Sequence, residues 1–152
     1  MQQKLMDRYV DRPVKWAAIA GFLLVILGAF GPWVVVDTPL GDASNGGFDE
    51  NGVLTFILAL IGLAAIAAYA FSDIRIESQL LHWGLVAIAV LIAILVLIDF
   101  LDVITEDAPE GFDIGPGWGL WLSLVGAILA LVGTIVPMWD EIQNRTQGMR
   151  NP

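Results

Sequence analysis

The sequence predicts an all-α integral membrane bundle of four antiparallel helices, at about residues 16–36, 53–71, 80–98 and 118–138. Three observations carry this reading. First, 57% of the 152 residues are hydrophobic and only 15% are charged, where a soluble domain is near half apolar and about a quarter charged. Second, the apolar excess falls into four blocks of about 20 residues, the length that crosses a hydrocarbon core of about 30 Å. Third, every Lys and Arg lies outside those blocks, on alternate connections. Four crossings use most of the chain, so residues 1–152 are expected to form one transmembrane domain with short tails.

The first block runs from Trp16 to Val36 after a polar start carrying Lys4, Arg8, Arg12 and Lys15. A charged start before an apolar run also describes a secretory signal. This run is longer than a signal core, and no A-x-A-like cleavage site follows it, so a retained helix is expected. Ala17, Gly21, Gly28 and Gly31 give it a small-residue side, and Pro32 stands near its far end. Residues 37–52, DTPLGDASNGGFDENG, read as a loop rich in Gly, Pro, Asn and Asp. A hairpin through Asn45-Gly46 is conceivable there, with only Phe48 to bury.

The second block, Val53 to Phe71, carries Thr55, Ala59 and Gly62 on one side. The short link 72–79, SDIRIESQ, makes the second and third helices antiparallel neighbours. The third block, Leu80 to Ile98, is the bulkiest. Asp99, Asp102 and Glu106 then follow at helical spacing, so the helix is expected to continue beyond its apolar part until Pro109 and Gly111. The fourth block sits within Gly115 to Trp139. Small residues recur there at Gly119, Ser123, Gly126, Ala130 and Gly133, in steps of four and three. On a helix they form one stripe, and such stripes let two backbones approach closely in lipid. The first helix, with Gly21 and Gly28, is the expected partner.

Orientation follows from charge. The N-terminal segment, Arg75 in the 72–79 link, and Arg145 and Arg150 near the end hold all seven basic residues. Loops 37–52 and 99–117 hold none, but carry ten of the sixteen acids. The positive-inside rule then predicts a plasma-membrane protein with both termini cytoplasmic and both acidic loops extracellular. The six tryptophans fit these boundaries as interfacial anchors: Trp16, Trp83 and Trp139 at the inner ends, Trp33, Trp118 and Trp121 at the outer ends.

Little in the chain points to catalysis. There is no cysteine and one histidine, His82, which removes thiol chemistry and His-rich metal sites. No ionisable residue falls at mid-block, where transport and proton relays usually keep one. Asp99, Asp102 and Glu106 are weak candidates for a hard cation, which prefers oxygen ligands, although residues 107–113 do not follow the twelve-residue calcium-loop pattern. The acidic net charge of -9 argues against nucleic acid as a partner. Asn144-Arg145-Thr146 matches a glycosylation pattern by chance, being on the predicted cytoplasmic side.

GAFGPWVVV at 28–36, NGVLTFILALIGLAA at 51–65 and GPGWGLWLSLVGAILALVGTI at 115–135 resemble a loose class of small four-helix (tetraspan) membrane proteins of bacteria and archaea. That resemblance implies architecture and no functional residues. Gly119-Leu120-Trp121 is similar to the claudin signature, which in that family lies in an extracellular loop with a cysteine pair; here it opens a helix in a chain without cysteine. The expected role is that of a non-enzymatic accessory or scaffold subunit of a membrane or envelope assembly, without a cofactor. Its partners would be the bilayer and other subunits or itself. The alternative is a small oligomeric channel or transporter with an acidic extracellular vestibule.

Overall fold

The computed structural model describes residues 13–49, 51–71 and 78–148. It contains four helices, α1 (Pro13–Ala29), α2 (Gly52–Phe71), α3 (Ser78–Thr105) and α4 (Trp118–Gly148). It also contains three strands, β1 (Pro32–Thr38), β2 (Gly41–Gly46) and β3 (Asp113–Pro116). The all-α expectation is therefore corrected: the protein is mostly helical, with a small antiparallel sheet in the order β2-β1-β3.

The sheet comes from both segments read as loops and from the tail of the first apolar block. The first helix was expected to reach residue 36, but it ends at Ala29, and Val34 to Val36 belong to β1. The physical reason is local. Gly31-Pro32 breaks the helix, and three consecutive β-branched valines favour an extended chain. The hairpin turns at Pro39-Leu40 rather than at Asn45-Gly46. Gly41 closes that turn with φ +131°, a value open to glycine and strained for other residues. The Thr38 hydroxyl donates to the Gly41 carbonyl and accepts from the Leu40 N–H. β1 then pairs with β3 from Val34↔Pro116 to Asp37↔Asp113, which ties the α1–α2 connection to the α3–α4 connection at one end of the bundle.

The helices run up and down. α1 lies between α2 and α4, α3 completes the ring, and the α1–α4 contact is the most extensive. Phe22 and Val25 of α1, Ala59 of α2, Ile92 and Val96 of α3, and Leu120, Ala127 and Ala130 of α4 form the core. On α3 the buried positions are Ala89, Ile92, Val96, Asp99 and Val103, in steps of three and four that make one narrow stripe. Two stretches, Leu80–Thr105 and Trp118–Val136, are long and apolar enough to cross a membrane, and Trp16–Ala29 and Gly52–Ala68 are shorter apolar helices. α4 passes Pro137 and continues to Gly148, ten residues beyond the expected end at 138.

Candidate functional site

Two features stand out: a helix seam that fixes the bundle, and the sheet end with its acidic residues. The seam is built by the small residues of α1 and α4. A Cβ placed on Gly28 would lie 2.6 Å from the Gly119 carbonyl oxygen, and a Cβ on Gly119 would lie 2.6 Å from that of Gly28. Gly21 and Gly126 repeat the arrangement at 2.6 and 2.7 Å. No side chain fits in these gaps. The α-hydrogens that stand there instead point at the opposite carbonyls, giving reciprocal Cα–H···O contacts of the kind found between closely packed helices. Gly133 packs on Ala18, Ser123 packs on Gly28, and Ala130 meets Gly21. Gly62 of α2 serves a different purpose, leaving room for the Phe22 ring, which a Cβ there would meet at 2.8 Å. The stripe is thus occupied within the chain, and its glycines are not open to another protein.

At the sheet end, Trp33 is corrected from interfacial anchor to core residue. It is 1% exposed, and its Nε1–H donates to the Gly28 carbonyl at 3.0 Å. Gly47 lies against its indole, with no room for a Cβ. Trp16, Trp83, Trp118, Trp121 and Trp139 are all exposed by half or more. Trp121 meets Phe100 edge-on at 4.9 Å, joining α4 to α3. Sequence reasoning missed a further cluster, in which Phe30, Phe48 and Phe56 form three edge-to-face pairs at 5.2 to 5.6 Å. No spacing in the sequence links these rings. They meet because the hairpin folds back between α1 and α2.

The three proposed cation ligands do not act together. Asp99 is 8% exposed and faces the bundle, where its Oδ1 accepts from Asn51 Nδ2 at 2.7 Å. Asn51 sits at the start of α2, and its carbonyl accepts the N–H groups of Leu54 and Thr55. Asp99 thereby fastens α3 to the first turn of α2. Asp102 and Glu106 are exposed. Among the described residues, no three His, Asp or Glu side chains gather as metal ligands. A different acidic row appears instead. Asp42, Asp37 and Asp113 stand directly across from one another on β2, β1 and β3, so their side chains share one face of the sheet. All three are exposed.

Other buried polar groups have structural roles. The Thr55 hydroxyl donates to the Gly52 carbonyl at 3.0 Å, and that of Thr134 to the Ala130 carbonyl at 2.8 Å. Ser123 Oγ is buried without a hydrogen-bond partner, against Gly28. Of the basic residues that set the expected orientation, Lys15 falls in α1 and Arg145 in α4, while Lys4, Arg8, Arg12, Arg75 and Arg150 lie outside the described residues, as does Glu50. Comparison with protein-family models, with curated proteins and with solved structures found no match to this chain.

Proposed function

We propose that the chain is a non-enzymatic, multi-pass plasma-membrane protein that serves as an accessory or scaffold subunit, presenting the acidic sheet outside the cell. One observation carries this reading: the helices are ringed by exposed aliphatic side chains. Leu27, Ile61, Leu91 and Ile128, one from each helix, are all half-exposed or more. Water-soluble monomers rarely leave so much contiguous apolar surface uncovered, and a bilayer covers it without further protein. With the ring in lipid, the absence of Lys and Arg from 37–52 and 99–117 favours the outer side for the sheet and the cytoplasm for both termini. The non-enzymatic role is supported by the hydroxyls of Thr55 and Thr134, which are committed to their own helices.

A conducting pore would have to lie between copies, because Phe22, Val25, Ile92, Val96 and Leu120 fill the centre of one bundle.

The chain has no cysteine, so single cysteines report topology cleanly. Ser44→Cys is expected to react with a membrane-impermeant maleimide on intact cells, and Gln143→Cys only after permeabilisation. Labelling of both from one side, or release of the protein by carbonate washing, would remove the membrane reading. Purification in mild detergent is expected to retain a partner subunit. A lone monomer would remove the scaffold role, and cation flux in liposomes, abolished by Asp102→Asn, would install the channel in its place.

A further inference from the structure

The sheet has an open edge. β1 lies between its neighbours, leaving β2 on the outside. Antiparallel strands address alternate neighbours with alternate residues. Gly117 N–H donates to the Trp33 carbonyl, so Trp33, Val35 and Asp37 address β3, while Val34, Val36 and Thr38 address β2. Their partners on β2 are Asn45, Ala43 and Gly41. Asp42 and Ser44 therefore turn their backbone N–H and C=O groups away from β1. Gly46 follows the same alternation, and its N–H is taken by Asp49 Oδ2 at 3.2 Å.

Gly41 to Asn45 are all exposed. Proteins usually blunt such an edge with Lys, Pro, a bulge or a covering element. From Gly41 to Asn45 there is neither Lys nor Pro, and the bulge lies on β1 between Pro32 and Val34, at the other end of the ladder. The side chains are small enough for a strand to approach. From this edge the row Asp42, Asp37 and Asp113 runs inward across the sheet, with Asp42 at its open end, and residues 37–49 and 99–117 contain no Lys or Arg.

We propose that the β2 edge, at Asp42 and Ser44, takes an extended segment of a partner protein as a fourth strand, with a Lys or Arg of the segment beside Asp42, at the open end of the Asp42–Asp37–Asp113 row. The inference rests on the scaffold reading and specifies its partner. Main-chain hydrogen bonds supply the common part of such recognition, and alternate side chains supply selectivity. The charge of the row decides against a second copy, whose own Asp42 would come up to the open end of this one.

The test uses the full chain in nanodiscs of zwitterionic lipid and a short fluorescent peptide alternating threonine and lysine. The peptide should bind, and its glutamate-for-lysine counterpart should not. Ser44→Pro removes an outward N–H without touching the β1 ladder, and should weaken binding by about tenfold or more. Asp37→Asn and Asp42→Asn should each weaken it by about threefold, an effect lost in high salt. In the unaltered chain, amide exchange at Asp42 and Ser44 should slow when peptide is added, a readout that stands even if Ser44→Pro misfolds. Undiminished binding by a folded Ser44→Pro chain, or equal binding of the glutamate peptide, overturns the proposal. Self-association abolished by Ser44→Pro overturns it in favour of a second copy. A chain that does not enter nanodiscs ends the membrane reading alone, since the same peptide titration in detergent still decides the edge.

Discussion

Replacing Gly126 with alanine probes the α1–α4 seam directly. The added Cβ would lie 2.7 Å from the Gly21 oxygen, 2.8 Å from the Val25 nitrogen and 2.9 Å from the Leu24 Cβ. Ordinary contact begins at 3.4 Å, so the nearest pair must separate by 3.4 − 2.7 = 0.7 Å. Two of the three atoms are backbone, so no rotamer change relieves the clash and α1 itself must shift. The shift breaks two reciprocal Cα–H···O contacts with Gly21, worth about 0.5–1 kcal/mol each. Overpacking adds about 1–3 kcal/mol, and the better helix propensity of alanine returns about 1 kcal/mol. The expected net loss is about 1–4 kcal/mol, read from denaturant titration of helical circular dichroism in mixed micelles. Gly126→Leu should lose more, and Leu124→Ile, which keeps its volume, should lose less than about 1.5 kcal/mol. Stability of Gly126→Ala within about 0.5 kcal/mol of the parent, the range of an inconsequential surface change, would refute the seam as described.

Trp33→Phe keeps an aromatic ring but removes the indole donor to the buried Gly28 carbonyl, which retains the Gly31 N–H; thermal unfolding in detergent should show a loss of about 0.5–1.5 kcal/mol. Asn51→Ala removes the donor to Asp99 Oδ1 and should cost about 1–3 kcal/mol, with the first turn of α2 exchanging its amide protons faster. Asp37→Asn takes the central charge out of the row between Asp42 and Asp113. It should raise the melting temperature at low ionic strength, with the gain shrinking as salt screens the repulsion around Asp37 in the parent. A gain that persists unchanged in high salt would show that repulsion is not its cause.

Much of the bundle is legible in the sequence because its signals are periodic. Steps of four and three at Gly119, Ser123, Gly126, Ala130 and Gly133 define a stripe, and the structure sets that stripe against Gly21 and Gly28. The sheet is hidden by the same apolarity that reveals the helices. Trp33 to Val36 extends the apolar run of α1 without a break in hydropathy, so its extended conformation is signalled only by Pro32 and the three valines. β2 and β3 carry no alternating apolar pattern, since GDASNG and DIGP are small and polar or turn-forming. They become strands because β1 offers pairing on both sides. Asp99, Asp102 and Glu106 illustrate a second limit. Their spacing suggests one acidic face, but Asp99 continues the buried stripe of Ile92 and Val96 while Asp102 stays exposed. The three-residue step between them, about 300° of helical turn, decides which carboxyl meets Asn51.

The closest interface in the molecule joins its first helix to its last. A ribosome delivers α1 long before α4, and until α4 follows, the Gly21–Gly28 face has no partner from this chain. The β1–β3 ladder waits equally long, because β3 directly precedes α4. Biogenesis therefore has a gap in the middle: α1, the hairpin, α2 and α3 must be held in a competent arrangement before the two contacts that lock it can form. A chain truncated after α3 should be a substrate for cellular quality control, and supplying α4 with its preceding strand as a separate polypeptide should rescue it.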